Sequence, residues 1–93
     1  MIIGVCRMEL HLPDRHSLKE KRHAVKSLKD RLRHGFNVSV AEVEAHELWQ
    51  TAVLAAACVG VDRAYVNGVL DQLLHAVGRE RDLELVRSQM EFV

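Results

Sequence analysis

Proline is almost absent from this chain, with one in 93 residues, and the five glycines are scattered, so no stretch has the composition of a flexible linker. A chain of this length buries only about 60–65% of its unfolded surface, enough for one core, and the expectation is a single domain over residues 1–93. Cysteine is scarce: Cys6 and Cys58 stand alone in apolar runs, without C-x-x-C spacing, and are read as buried thiols. Gly60 and Gly68 are isolated, which leaves no glycine-rich loop to cradle phosphates. Long apolar runs are missing too. Thr51–Val61 falls well short of the roughly 20 residues of a membrane helix. Arg7 and Glu9 break up Met1–Leu12, which no small-residue cleavage site follows, so a signal peptide is not expected. These absences point to a cytoplasmic protein without a membrane association.

What is present is periodicity. Ile2, Gly4, Cys6, Met8, Leu10 and Leu12 alternate with Arg7, Glu9 and His11, as in a half-buried strand. Pro13 and Asp14 open a turn, after which Ser17 and Glu20 have the spacing of a capping box. The helix that follows is expected to reach about His34, with Leu18, Val25, Leu28 and Leu32 as its apolar stripe, the stem of Lys21 covering a gap in that stripe, and Gly35 as a C-terminal cap. Phe36, Val38 and Val40 alternate with polar or small neighbours, predicting a second strand to about Val43. Thr51–Val61 is apolar on both faces and reads as a central strand. Asp62 is placed to cap a second helix whose Val66, Val69, Leu70, Leu73, Leu74 and Val77 face inward and which Gly78 closes. In the last strand Leu83 and Leu85 have one phase and Val86, Met90 and Phe92 the other, so a bulge is expected near Val86.

The resulting order, β-α-β-β-α-β, predicts an α+β ferredoxin-like sandwich: a four-stranded antiparallel sheet with the first and third strands central and two helices on one face. The other sheet face is left open. On the first strand it carries Ile3, Val5, Arg7, Glu9 and His11, a mixture suited to self-association or a protein partner.

Net charge is zero, yet eight of the thirteen basic residues fall in the segment from Asp14 to His34, against only Asp14, Glu20 and Asp30. On a helix, Lys19, Arg22, Lys26, Lys29 and Arg33 follow three- and four-residue spacings and form one ridge about 100° round from the apolar stripe. With Lys21, these are the candidate nucleic-acid-binding residues. The sequence has only one tryptophan, one tyrosine and two phenylalanines, and none of them lies in the two central strands. That excludes base stacking on the sheet surface, as in an RNA-recognition motif, so any RNA contact is expected to run through phosphate and shape. Trp49, beside a turn, is the aromatic expected at the surface or an interface.

Two polar clusters invite a catalytic reading: Glu42, Glu44, His46 and Glu47 near one strand end, and His11, Asp14 and His16 near another. Neither has metal-ligand spacing or a positioned nucleophile. The expectation is therefore no enzyme, no catalytic residue, no metal and no cofactor.

The segments SLKEKR (Ser17–Arg22), SLKDRLR (Ser27–Arg33), FNVSVAEV (Phe36–Val43) and LWQ (Leu48–Gln50) together resemble the YlxP-like family of small bacterial proteins of unknown function. The resemblance spans the chain and implies a compact ferredoxin-like fold. The genes of that family commonly sit among those for translation initiation and a ribosome-binding factor, which implies a role near the ribosome or its RNA. It supplies no catalytic residues. Two functions are thus carried forward: a non-enzymatic accessory protein that binds RNA or the ribosome through the basic helix face, and a dimerisation or protein-interaction module that uses the open sheet face, with a homodimer expected.

Overall fold

The computed structural model describes residues 1–93 and has the elements β1 (Ile2–His11), α1 (Leu18–Gly35), β2 (Ser39–Glu44), β3 (Thr51–Gly60), α2 (Arg63–Gly78) and β4 (Glu84–Phe92). The strands form one antiparallel sheet in the order β2-β3-β1-β4, so β1 and β3 are central and the fold is ferredoxin-like. One apolar core joins the inward residues of the sheet, Cys6, Met8, Leu10, Val40, Leu54, Ala56 and Cys58, to Val25, Leu28 and Leu32 of α1 and Val66, Leu70, Leu73 and Val77 of α2. Phe36 and Phe92 pack against its margin. Both helices therefore cover the same sheet face, as alternation on β1 predicts.

Each helix starts where a side chain accepts an otherwise unpartnered amide. The Ser17 hydroxyl accepts from the Glu20 amide at 3.1 Å, and the Asp62 carboxylate from the Tyr65 amide at 2.8 Å. The helices end at the expected glycines, but without the expected capping geometry. No glycine in the chain has positive φ, so Gly35 and Gly78 are the last helical residues and not left-handed caps. The amides of Phe36 and Arg79 close the helices by bonding back to Leu32 and to Ala76 and Val77. Phe36 and Val38 thus precede β2 instead of belonging to it.

Two bulges set which side chains face the core. Opposite Glu9 and Leu10, the register of β4 jumps from Arg87 to Leu85, leaving Val86 as the extra residue where the phase change predicted it. A second irregularity between Glu42 and Glu44 turns Val43 outward and puts Glu44 on the open face opposite Val53. Gly4 has a separate role. A Cβ there would stand 2.5 Å from Cγ1 of Val66 and 2.9 Å from Cδ1 of Leu70, so the missing side chain is what lets α2 lie close on β1.

The open face carries, in successive cross-strand rows, Val59 and Ile3; Ser39, Ala57, Val5 and Glu91; Ala41, Ala55, Arg7 and Gln89; and Glu44, Val53, Glu9 and Arg87. The small Ala55 leaves room for Arg7 to cross β3 and pair with Glu44 on β2. Val53 is only 4% exposed although it lies outside the core, on the side away from the helices, between Glu9 and Glu44.

Candidate nucleic-acid interface

The basic ridge of α1 arises because the helix buries one stripe, Lys21, Val25, Leu28 and Leu32, and so turns the positions a quarter-turn away along the outer side of edge strand β2. Arg33 fixes this orientation, donating to the Val40 carbonyl of β2 at 2.7 Å. Along the ridge Lys19, Arg22 and Lys26 are exposed and Lys29 is partly so. Lys19, Arg22 and Lys29 have no acidic partner within ion-pair distance. Lys26 and Arg33 share Asp30, at 3.1 and 3.5 Å. The hydrogen bond from Lys26, helped by the charges of Lys26, Arg33 and His34, holds the Asp30 carboxyl below the usual aspartate range. All of these groups are solvated, so the pairs are weak and exchange readily for another anion.

Lys21 is different. Its side chain is 0% exposed, and its ammonium donates to Glu42 at 2.5 Å and to the Ala45 carbonyl at 2.7 Å. It fills the gap in the apolar stripe as expected, but it cannot meet a phosphate, and it leaves the candidate set. The physical reason is geometric: Lys21 falls within the stripe defined by Val25, Leu28 and Leu32, so its charge needed a partner inside, and Glu42 in the inward phase of β2 provides it.

The same contact organises the connection between β2 and β3. Ala45 takes φ 63°, an uncommon conformation for a residue with a Cβ, while Lys21 holds its carbonyl. The Leu48 amide bonds to Ala45, and a His46 ring nitrogen meets the Glu42 carbonyl at 3.0 Å. At the far end the Gln50 amide donates to the carbonyls of Pro13 and Arg15, and the Gln50 carbonyl accepts from the Leu12 amide. The loop is thereby tied to α1, β1 and the β1–α1 turn at once, yet it displays Leu48 and Trp49 at 53% and 52% exposure. Sequence reasoning singled out Trp49 but not this stapling.

Two acids of the first cluster have structural partners, Glu42 with Lys21 and Glu44 with Arg7, whereas Glu47 and Asp14 make no ion pair. No three His, Cys, Asp or Glu side chains gather closely enough to hold a metal ion. Cys6 and Cys58 are buried and free, and burial pushes both thiols up, with Asp71 adding to the effect at Cys6, which reaches about 11. No helix is long and apolar enough to cross a membrane.

The chain is similar to the uncharacterised protein YlxP of Bacillus subtilis (strain 168), at 29% identity over 91 residues, covering 98% of this chain and 99% of that one. The ridge and the stapled loop lie within residues 3–90, which match the model of a protein family of unknown function, DUF503, and the chain belongs to that family.

Proposed function

We propose that this chain is a non-enzymatic, cytoplasmic accessory protein that engages RNA, at or near the ribosome, through the phosphate contacts of Lys19, Arg22, Lys26, Lys29 and Arg33. The observation that carries this reading is the ridge itself: Lys19, Arg22 and Lys29 stand in a row without acidic partners on a protein with no net charge. Clustered cations that folding leaves unpaired suit a polyanion, because each phosphate contact releases a condensed counterion. The ribosomal setting rests on the family resemblance alone.

The test is binding of the chain to ribosomal RNA at about 50 mM salt and upward, beside a variant carrying Lys19→Glu, Arg22→Glu, Lys26→Glu and Lys29→Glu. The expected result is steeply salt-dependent binding that the variant loses while keeping its fold by circular dichroism. Absence of salt-sensitive binding, or equal binding by the variant, overturns the reading.

A second reading is favoured by a specific observation, the apolar half of the open face, where Ile3, Val5, Ala57 and Val59 adjoin and Val59 is half exposed. It makes the chain a homodimer joined through that face. Sedimentation of a monomer at about 50 µM would remove it.

A further inference from the structure

Beyond the upper end of the ridge lies a concave surface of about 600 Å³, formed where the β2–β3 loop meets the β1–α1 turn. Leu48 and Trp49 supply its apolar wall, Arg15 and His16 its basic side, and Glu47 a single acid. Three features set it apart from an ordinary exposed tryptophan. First, the loop is held at both ends by buried or multiple hydrogen bonds, from Lys21 to Ala45 and from Gln50 to Pro13 and Arg15, so the indole is displayed by a fixed scaffold. Second, Arg15, which lines this surface and also an adjoining hollow with Glu80 and Asp82, makes no ion pair, and its Nε is buried without any hydrogen-bond acceptor. Buried donors of this kind are rarely left unpaired. Third, Arg15 lies just ahead of the Ser17 cap and Lys19, so it extends the line of cations past the helix start and onto the face beside Trp49, with the His16 ring next to it.

We propose that this surface is a stacking platform for one base of a single-stranded nucleic acid, the indole of Trp49 taking the base and Arg15 and His16 the phosphate next to it. The proposal deepens the RNA-binding reading and rests on it. A rigid aromatic next to a cationic track is the combination by which proteins hold single strands with little sequence preference, the track following the phosphates and the aromatic receiving whichever base arrives. A solely apolar partner would find Leu48 and Trp49 but leave Arg15 and the ridge unmatched. The charge favours a polyanion that also carries flat apolar groups. The stacking is on a loop and not on the central strands, whose outward positions hold no aromatic residue.

Trp49 is the only tryptophan, so its fluorescence reports on this site alone. The intact chain is titrated with single strands of about eight nucleotides, oligo(U) and oligo(dT), and with an abasic strand of equal length and charge. Quenching by oligo(U) or oligo(dT) is expected, with the abasic strand binding about 10-fold more weakly and giving little quenching. Followed by anisotropy of labelled strands, Trp49→Ala loses about 10-fold for the strands with bases and is unchanged for the abasic one, Trp49→Phe recovers most of that loss, and Arg15→Ala weakens all strands. If all strands bind alike to wild type and to Trp49→Ala, in a salt-sensitive manner, the ridge reading stands and the platform falls. With no strand bound at all, both fall. Concentration-dependent sedimentation of the protein alone, abolished in Trp49→Ala, would assign Trp49 to a contact between copies and overturn the proposal.

Discussion

The buried pair of Lys21 and Glu42 gives the sharpest test of how the helix and the loop are joined. Replacing Glu42 by alanine leaves an ammonium that is 0% exposed with only the Ala45 carbonyl for company. Breaking a buried pair from one side in this manner costs about 3–5 kcal/mol, a large part of the stability of a domain this small. Lys21→Met should cost less, about 1–3 kcal/mol, because the Glu42 carboxylate it strands is 13% exposed and can turn toward water. Changing both, Lys21→Met with Glu42→Met, removes both charges while filling similar volume, and should return to within about 1 kcal/mol of wild type. The double-mutant cycle, closed with the single change Glu42→Met, which strands the same ammonium, then shows a coupling of about 2 kcal/mol or more. Urea unfolding followed by circular dichroism measures each corner of the cycle. Hydrogen exchange over residues 45–50 adds a local reading, with protection expected to fall in Lys21→Met. A Glu42→Ala cost below about 1 kcal/mol, or single costs that simply add, would refute the claim that this pair is buried and coupled.

Other outcomes follow from the same structure. Leu28, 2% exposed in the core, should cost about 2–5 kcal/mol when cut to alanine in urea unfolding, and a cost near zero would mean that the inner face of α1 is misassigned. Asp30 has a lowered folded pKa, so its pairing with Lys26 and Arg33 is present above the ordinary aspartate pKa of 3.8 and is lost as pH falls through the lowered value. Asp30→Asn should therefore release both cations at neutral pH and tighten RNA binding several-fold with a steeper salt dependence, and unchanged affinity would contradict this. The Cys6 thiol has a raised pKa, so its contribution to stability is complete below its ordinary value of 9.0 and is lost as pH rises through about 11. The urea midpoint should decline across that window, less so in Cys6→Ala, and an identical decline in both proteins would remove the thiol from the account.

Much of the fold was legible because each signal was local. Ser17 and Asp62 announce helix starts by their own chemistry, and the phase change between Leu85 and Val86 announces a bulge, since a strand cannot otherwise move its apolar residues from one face to the other. The buried pair was half legible. Lys21 sits within an apolar stripe, and Glu42 continues the inward phase of Val38 and Val40. An acid and a base each found on a core-facing position form a joint signal, missed because each was weighed within its own element. The burial of Val53 could not be read along the chain, since it depends on its cross-strand neighbours Glu9 and Glu44 and on Arg7 reaching over β3. The helix ends were legible at Gly35 and Gly78 but their capping geometry was not, because a glycine can end a helix without entering the left-handed region.

The Arg7–Glu44 pair gives the open sheet a direction. It crosses β3 between Ala55 and Val53, so the central strands are apolar toward Ile3, Val5, Ala57 and Val59, while the rows toward Glu9 and Arg87 are charged. A flat apolar plane would accept a neighbour in any rotation, and that is how sheets clump. Here a neighbour turned end for end would set its own apolar patch against charges that must then shed their water. For a second copy docked there, as the homodimer reading proposes, the face would act as a key that accepts only one of two opposite orientations.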